Sequence, residues 1–197
     1  MKKVLFISHN ASLTGAPILL LRLISLFKTV TNSEVMILLN QGGEIKNRFQ
    51  ELSCTLEWNK EQKITFIERF KIIILKRIGI KYLSTAEKHR NLVINNVNKV
   101  DYIFNNTIAN AQLLRQLPLS NKKVISYVHE LNLGCKIDST VADMAFINEI
   151  SNIIFVPSNA VKSLLVEEYQ FDICKNKTLQ YVIPYVDNSK KKIIKSS

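Results

Sequence analysis

Cysteine is scarce in this chain: three residues, Cys54, Cys135 and Cys174, lie far apart and form no CxxC pair. That excludes a disulfide framework and the usual zinc modules, and it fits a reducing compartment. Glycine and proline are also few, five and four in 197 residues. Long structureless loops are therefore excluded, and Gly15, Gly42, Gly43 and Pro157 read as boundaries between elements. No apolar run approaches the ~20 residues that a spanning helix needs. The apolar run 4–7 behind Met1, Lys2 and Lys3 is cut short by Ser8, His9 and Asn10, which is not a secretory leader. The expectation is a cytoplasmic protein. There is no GxGxxG and no GKS or GKT, which disfavours nicotinamide dehydrogenases and P-loop nucleotidases.

What is present belongs to a folded domain. Hydrophobic residues make up 47% and charged residues 22%, too apolar a mixture for a disordered chain. The net charge of +11 favours anionic partners: phosphorylated small molecules, acidic lipid or nucleic acid. Nucleic acid is disfavoured, because no zinc-finger, helix-turn-helix or RNA-recognition signature accompanies the charge. The excess cations concentrate in the segment 60–90 and in a tail with Lys190, Lys191, Lys192 and Lys195.

Periodicity alternates between strand and helix. The run Val4, Leu5, Phe6, Ile7 has the continuous apolarity of a strand buried on both faces. Behind it, 16–27 carries apolar residues over most of a helix, with Thr14 available as a cap and Pro17 tolerated in the first turn. The alternation repeats as strand 35–39, a helix through Phe49 and Leu52, and a short strand near 55–56. Further along come strand 102–104, helix 108–117, strand 123–128, helix 142–150, strand 153–156, helix 159–169 and strand 181–183. Strands alternating with helices predict an α/β fold, a Rossmann-like parallel sheet with helices on both faces and right-handed crossovers. The segment 60–90 breaks this rhythm with one or two helices that are both apolar and basic. It reads either as a helix in a membrane interface, with Lys71, Lys76, Arg77 and Lys81 meeting anionic headgroups, or as an ordinary core-facing stripe with solvated lysines. His89, within it, reads as solvated.

In open parallel sheets, ligands bind beyond the carboxyl ends of the strands. Polar clusters follow four strands here: 8–17 (SHNASLTGAP), Asn105-Asn106-Thr107, His129-Glu130 and Pro157-Ser158-Asn159. The first is a small-residue turn entering a helix, which leaves backbone N–H groups and a positive dipole end for a phosphate or a carboxylate. Taken alone it is equally an ordinary turn. Convergence of several such clusters on one rim is the pattern of a site.

The order of VLFISHNASLTGAP, YIFNNT, ISYVHE, IIFVPSNAVKSLL and YVIPYVD resembles the acceptor domain of GT4-like glycosyltransferases of the GT-B fold, and the likeness spans nearly the whole chain. Two residues depart from that pattern: Ala16, where a second glycine is common, and Tyr185, where Asn-Gly is usual. The resemblance implies an N-terminal acceptor-binding half over 1–187, a basic tail or linker over 188–197, and a donor-binding half elsewhere. It implies sugar transfer with retention from a nucleotide-sugar to a glycan or lipid-linked acceptor, of the hexosyl type and with no metal or other cofactor. Cell-envelope polysaccharide synthesis at the inner face of the membrane is the expected setting, and the half alone should be inactive. By the same resemblance, the amides of Gly15 and Ala16 face the donor diphosphate. His129 positions and stabilises the reacting centre, and Ser8, His9, Asn10, Asn106 and Glu130 shape the acceptor side. Glu130 either takes that role, braces the His129 imidazole or caps a helix. A non-catalytic module of the same fold, and an unrelated nucleotide-binding Rossmann protein, are the competing readings.

Overall fold

A computed structural model describes residues 1–60, 66–79, 83–130 and 139–179. Seven parallel strands form one sheet in the order β3-β2-β1-β4-β5-β6-β7. The strands are β1 (Lys3–Ser8), β2 (Glu34–Leu39), β3 (Cys54–Glu57), β4 (Tyr102–Asn105), β5 (Lys123–Tyr127), β6 (Ile153–Val156) and β7 (Asn176–Thr178). The helices are α1 (Gly15–Val30), α2 (Lys46–Leu52), α3 (Phe66–Arg77), α4 (Thr85–Val97), α5 (Ala111–Leu114), α6 (Val141–Ile150) and α7 (Asn159–Glu167), with a 3-10 turn at Ile108–Asn110.

Because successive side chains in a strand point to opposite faces, β1 serves two cores. Leu5 and Ile7 join Val93 and Val97 of α4, Met144 and Ile147 of α6, and Val161 and Leu165 of α7. Val4 and Phe6 join Leu20, Leu21 and Ile24 of α1 and Phe49 of α2. Fully removing such side chains from water contributes about 1.5–3 kcal/mol each, so β1 anchors both layers. The sheet reverses direction at β1: the chain runs outward through β2 and β3, then returns through α4 to β4 on the other side. With right-handed crossovers, this puts α1 and α2 on one face and α4 to α7 on the other. Helices thus cover both faces, but unequally. On the α1 face, Tyr102, Phe104, Ile125 and Phe155 border a cleft of about 480 Å³ whose far wall is Leu23 and Phe27.

The expected elements recur with local differences. The helix expected over 108–117 is a 3-10 turn followed by a short α5, because the Thr107 hydroxyl caps Ala109 N–H and fixes a tight turn. A strand is found at Asn176–Thr178, while the segment 181–183 lies outside the described residues. Thr14 occupies the N-cap position of α1, yet its side chain makes no cap bond and instead meets the Ser12 hydroxyl at 2.8 Å. The segment 60–90 yields two helices, α3 and α4. Gly79 follows α3 with φ +74°, a left-handed residue of the kind that ends helices. Ser84 and Glu87 form a capping box that starts α4. His89 is not solvated as expected: its Nε2 meets the Glu57 carbonyl, and Arg90 sits over the Trp58 ring at 5.6 Å, so α4 is pinned to the end of β3.

Candidate functional site at the carboxyl rim

The loops after β1, β4 and β5 are neighbours because those strands are neighbours, and the strand order reverses at β1, the place where open parallel sheets bind ligands. The first loop is shaped largely by its own side chains. Asn10 Oδ1 accepts from Ser12 N–H at 3.2 Å and from the Ser12 hydroxyl at 2.9 Å, a turn closed by an amide. Ser8 is fully buried and its hydroxyl donates to the Asn10 carbonyl at 2.8 Å. That bond engages the Ser8 hydroxyl in the loop that turns over the end of β1. His9 is half-buried, and its carbonyl accepts from Gln41 N–H at 3.1 Å.

A second loop holds the first in place. Ile45 N–H donates to the Ala11 carbonyl at 2.9 Å, and the Gly43 Cα lies so close that a Cβ there would stand 2.4 Å from the Ala11 carbonyl carbon and oxygen. Gly15, by contrast, is exposed, and a Cβ there would meet no described atom within 4 Å. Neither packing nor a left-handed backbone demands glycine at position 15.

Asn106, fully buried, ties the next loop to the first: its Nδ2 donates to the Ala16 carbonyl at 2.9 Å and its backbone N–H to Ile7 at 3.2 Å. Its Oδ1 is buried and finds no partner among the described residues. Glu130, also buried, accepts from the Thr107 hydroxyl, from Ile108 N–H at 3.2 Å and from His129 N–H at 2.9 Å. Of the roles open to it, these bonds fit the cap: the carboxylate sits on the backbone at the start of the 3-10 turn and locks the β4 and β5 loops together. The half-buried His129 ring lies 5.6 Å from that of Tyr127, and its Nε2 is buried without a partner among the described residues. Burial raises the Tyr127 hydroxyl above its ordinary pKa, so that group stays protonated at neutral pH.

Below the rim runs a polar chain that sequence reading did not isolate. Asn110 Nδ2 donates to Asn105 Oδ1 at 2.9 Å, Asn105 Nδ2 reaches Ser126 Oγ at 3.4 Å, and Ser126 meets Ser151 at 2.8 Å. All four residues are buried, which fixes β4, β5 and α6 relative to one another. The signal available in the sequence was a serine interrupting the apolar run of β5. Nearby, Arg115 pairs with buried Asp143, and its guanidinium lies 4.5 Å from the Phe146 ring centre.

The structure thus brings Gly15, Ala16, Asn106, Glu130 and His129 to one rim. Lys71 and Arg77 lie apart from it on α3 and are exposed, while Lys81 and the side chain of Lys76 lie outside the described residues. Tyr185 and the tail 188–197 also lie outside them. Among the described residues, no group of three His, Cys, Asp or Glu side chains is placed to hold a metal ion, and no helix is long and apolar enough to cross a membrane.

A family model described as glycosyl-transferase family 4 matches residues 1–189. A crystal structure of a glycosyltransferase from Rickettsia africae ESF-5 is similar with a TM-score of 0.51 at 15% identity, covering 92% of this chain and 43% of that chain. At that identity the likeness shows the fold, and the chain spans less than half the length of that protein. No curated protein matches the chain.

Proposed function

Because the chain belongs to glycosyl-transferase family 4, we propose that its rim serves sugar transfer from a nucleotide-sugar, with the leaving diphosphate at the amides of Gly15 and Ala16 and His129 beside the reacting centre. The observation that carries this reading is that two buried atoms on adjacent loops, Asn106 Oδ1 and His129 Nε2, find no partner among the described residues. Leaving a buried polar atom unbonded costs about 1–3 kcal/mol, a penalty that a bound hydroxyl or phosphate would relieve. Asn106 Oδ1 accepts only, so it suits a sugar hydroxyl. His129 Nε2 donates when it carries a proton, which suits negative charge developing on the departing phosphate.

In this reading transfer proceeds with retention. The departing phosphate takes the acceptor proton, and His129 orients and stabilises the reacting centre rather than acting as the sole base. The acceptor is a glycan or a lipid-linked saccharide bound near the first loop, where His9 and the Asn10 turn form the edge. The donor's base and ribose are held mainly by a second domain, so this chain alone binds nucleotide-sugars weakly and turns over little. The test is transfer from a panel of labelled nucleotide-sugars, with a donor-binding domain supplied and His129→Ala beside the wild type. Turnover should fall roughly a hundredfold with folding intact. A kcat close to wild type at saturating donor would make His129 a structural residue and sink the assignment.

A further inference from the structure

α3 faces the wrong way for a core helix. At about 100° per residue, Phe66, Ile67, Phe70, Ile73 and Ile74 fall within an arc of roughly 120°. All five are exposed, from 44% for Ile74 to 83% for Phe66. The opposite side carries Ile72 and Leu75, which are only half-buried. The helix therefore turns its larger apolar face to solvent, at the cost of keeping phenylalanine and isoleucine side chains in water. Ile78, just past its end, is 61% exposed and extends the patch.

The charge pattern identifies what covers this face. Segment 66–79 holds four cations, Arg69, Lys71, Lys76 and Arg77, against one acid, Glu68. The exposed Arg69 and Lys71 border the apolar arc on its two sides, and Arg77 closes it at the carboxyl end. A second copy of the helix laid on this face would bring like charges together. An anionic bilayer surface instead takes up the apolar arc and neutralises the flanking cations, whose aliphatic stems reach back to the headgroups. We propose that α3 is a membrane-docking helix that lies flat in the interface of an anionic bilayer. Its position supports this. α3 lies between the carboxyl end of β3 and the start of α4, so it is attached at the rim that carries His129.

The experiment uses the full chain with vesicles of phosphatidylcholine alone or mixed with phosphatidylglycerol. Phe70→Trp supplies an indole on the arc, and vesicles with brominated acyl chains report its depth. Quenching is expected with anionic vesicles only. Arg69→Gln, Lys71→Gln and Arg77→Gln together should weaken binding roughly a hundredfold, and added salt should weaken it as well. Ile73→Ser with Ile74→Ser should abolish quenching while leaving far-UV circular dichroism unchanged, since neither side chain is buried. Three results overturn the proposal. One is no vesicle binding at low ionic strength, and another is adsorption with no quenching of the Phe70→Trp indole. The third is an oligomer in solution that the Ile73→Ser and Ile74→Ser pair dissociates, which would make the face a contact between copies. None of these outcomes touches the rim, so the transfer reading stands or falls separately.

Discussion

Two glycines in neighbouring loops should respond to the same substitution in opposite ways. At Gly43 an added Cβ stands 2.4 Å from both the carbonyl carbon and oxygen of Ala11 and 2.8 Å from Ser12 N. These are backbone atoms of a loop already held by Ile45 N–H on the Ala11 carbonyl, so no flexible side chain can yield. The loop must back away. Overpacking of this kind costs about 1–3 kcal/mol, and loss of the Ile45 bond adds about 1 kcal/mol, giving about 2–4 kcal/mol for Gly43→Ala. For a chain of this size that lowers the melting temperature by roughly 5–15 °C. At Gly15 an added Cβ would meet no described atom within 4 Å, and φ is not left-handed. Gly15→Ala should leave stability unchanged or raise it by up to about 1 kcal/mol, since alanine has less unfolded entropy to lose. Urea unfolding followed by circular dichroism measures both. If Gly43→Ala matched the wild type within about 0.5 kcal/mol, the close approach of the two loops would not be a rigid feature of the rim, and the argument that Gly43 fixes the first loop would fail.

Two further outcomes follow from buried carboxylates. Glu130→Gln replaces an acceptor of three backbone and hydroxyl bonds by a group that carries two donors, and it should cost about 1–3 kcal/mol in urea unfolding; an unchanged midpoint would deny Glu130 its role as the clasp between the β4 and β5 loops. Asp143 is held below its ordinary pKa: burial opposes ionisation, but the Arg115 guanidinium together with the N–H and hydroxyl of Thr140 outweighs it. A lowered folded-state value stabilises the fold above the unfolded pKa, and that contribution is lost as pH falls through the folded value. Asp143→Asn should therefore flatten the acid-unfolding limb below about pH 4, and an identical limb in both proteins would contradict the assignment.

The strands that were legible in the sequence are the continuous apolar runs. β1 is such a run because helices press on it from two sides, and β6 is one although Ile153 is exposed and Phe155 borders the cleft on the α1 face. β7 is invisible to that criterion: Asn176, Lys177 and Thr178 form a polar edge strand, two of whose three residues are exposed. The rim was legible as a set of polar clusters after strands, but the sequence could not separate residues that face a ligand from residues that build the loop. Ser8 and Asn10 spend their side chains on the turn itself, and Glu130 spends its carboxylate on backbone N–H groups. The apolar excess of 60–90 was also readable. Its direction was not, because a helical wheel shows which residues share a face and leaves open whether that face meets a core or solvent.

One topological event accounts for the arrangement of all these features. The strand order reverses at β1, the point at which open parallel sheets bind their ligands, and the loops after β1 and β4 meet there. The reversal requires a long return from β3 to β4, and that return leaves from the carboxyl end of the sheet with extra length before α4. α3 is that extra length. α4 alone covers the sheet in the crossing, through Val93 and Val97, so α3 is free of any duty to the core and can present its isoleucines outward. The proposed docking helix and the proposed transfer site both follow carboxyl ends of strands in one parallel sheet. On the two proposals taken together, an acceptor carried by a surface that takes up α3 would arrive on the side of the sheet that holds His129. Within that combined proposal the acceptor class is a lipid-linked saccharide rather than a free glycan.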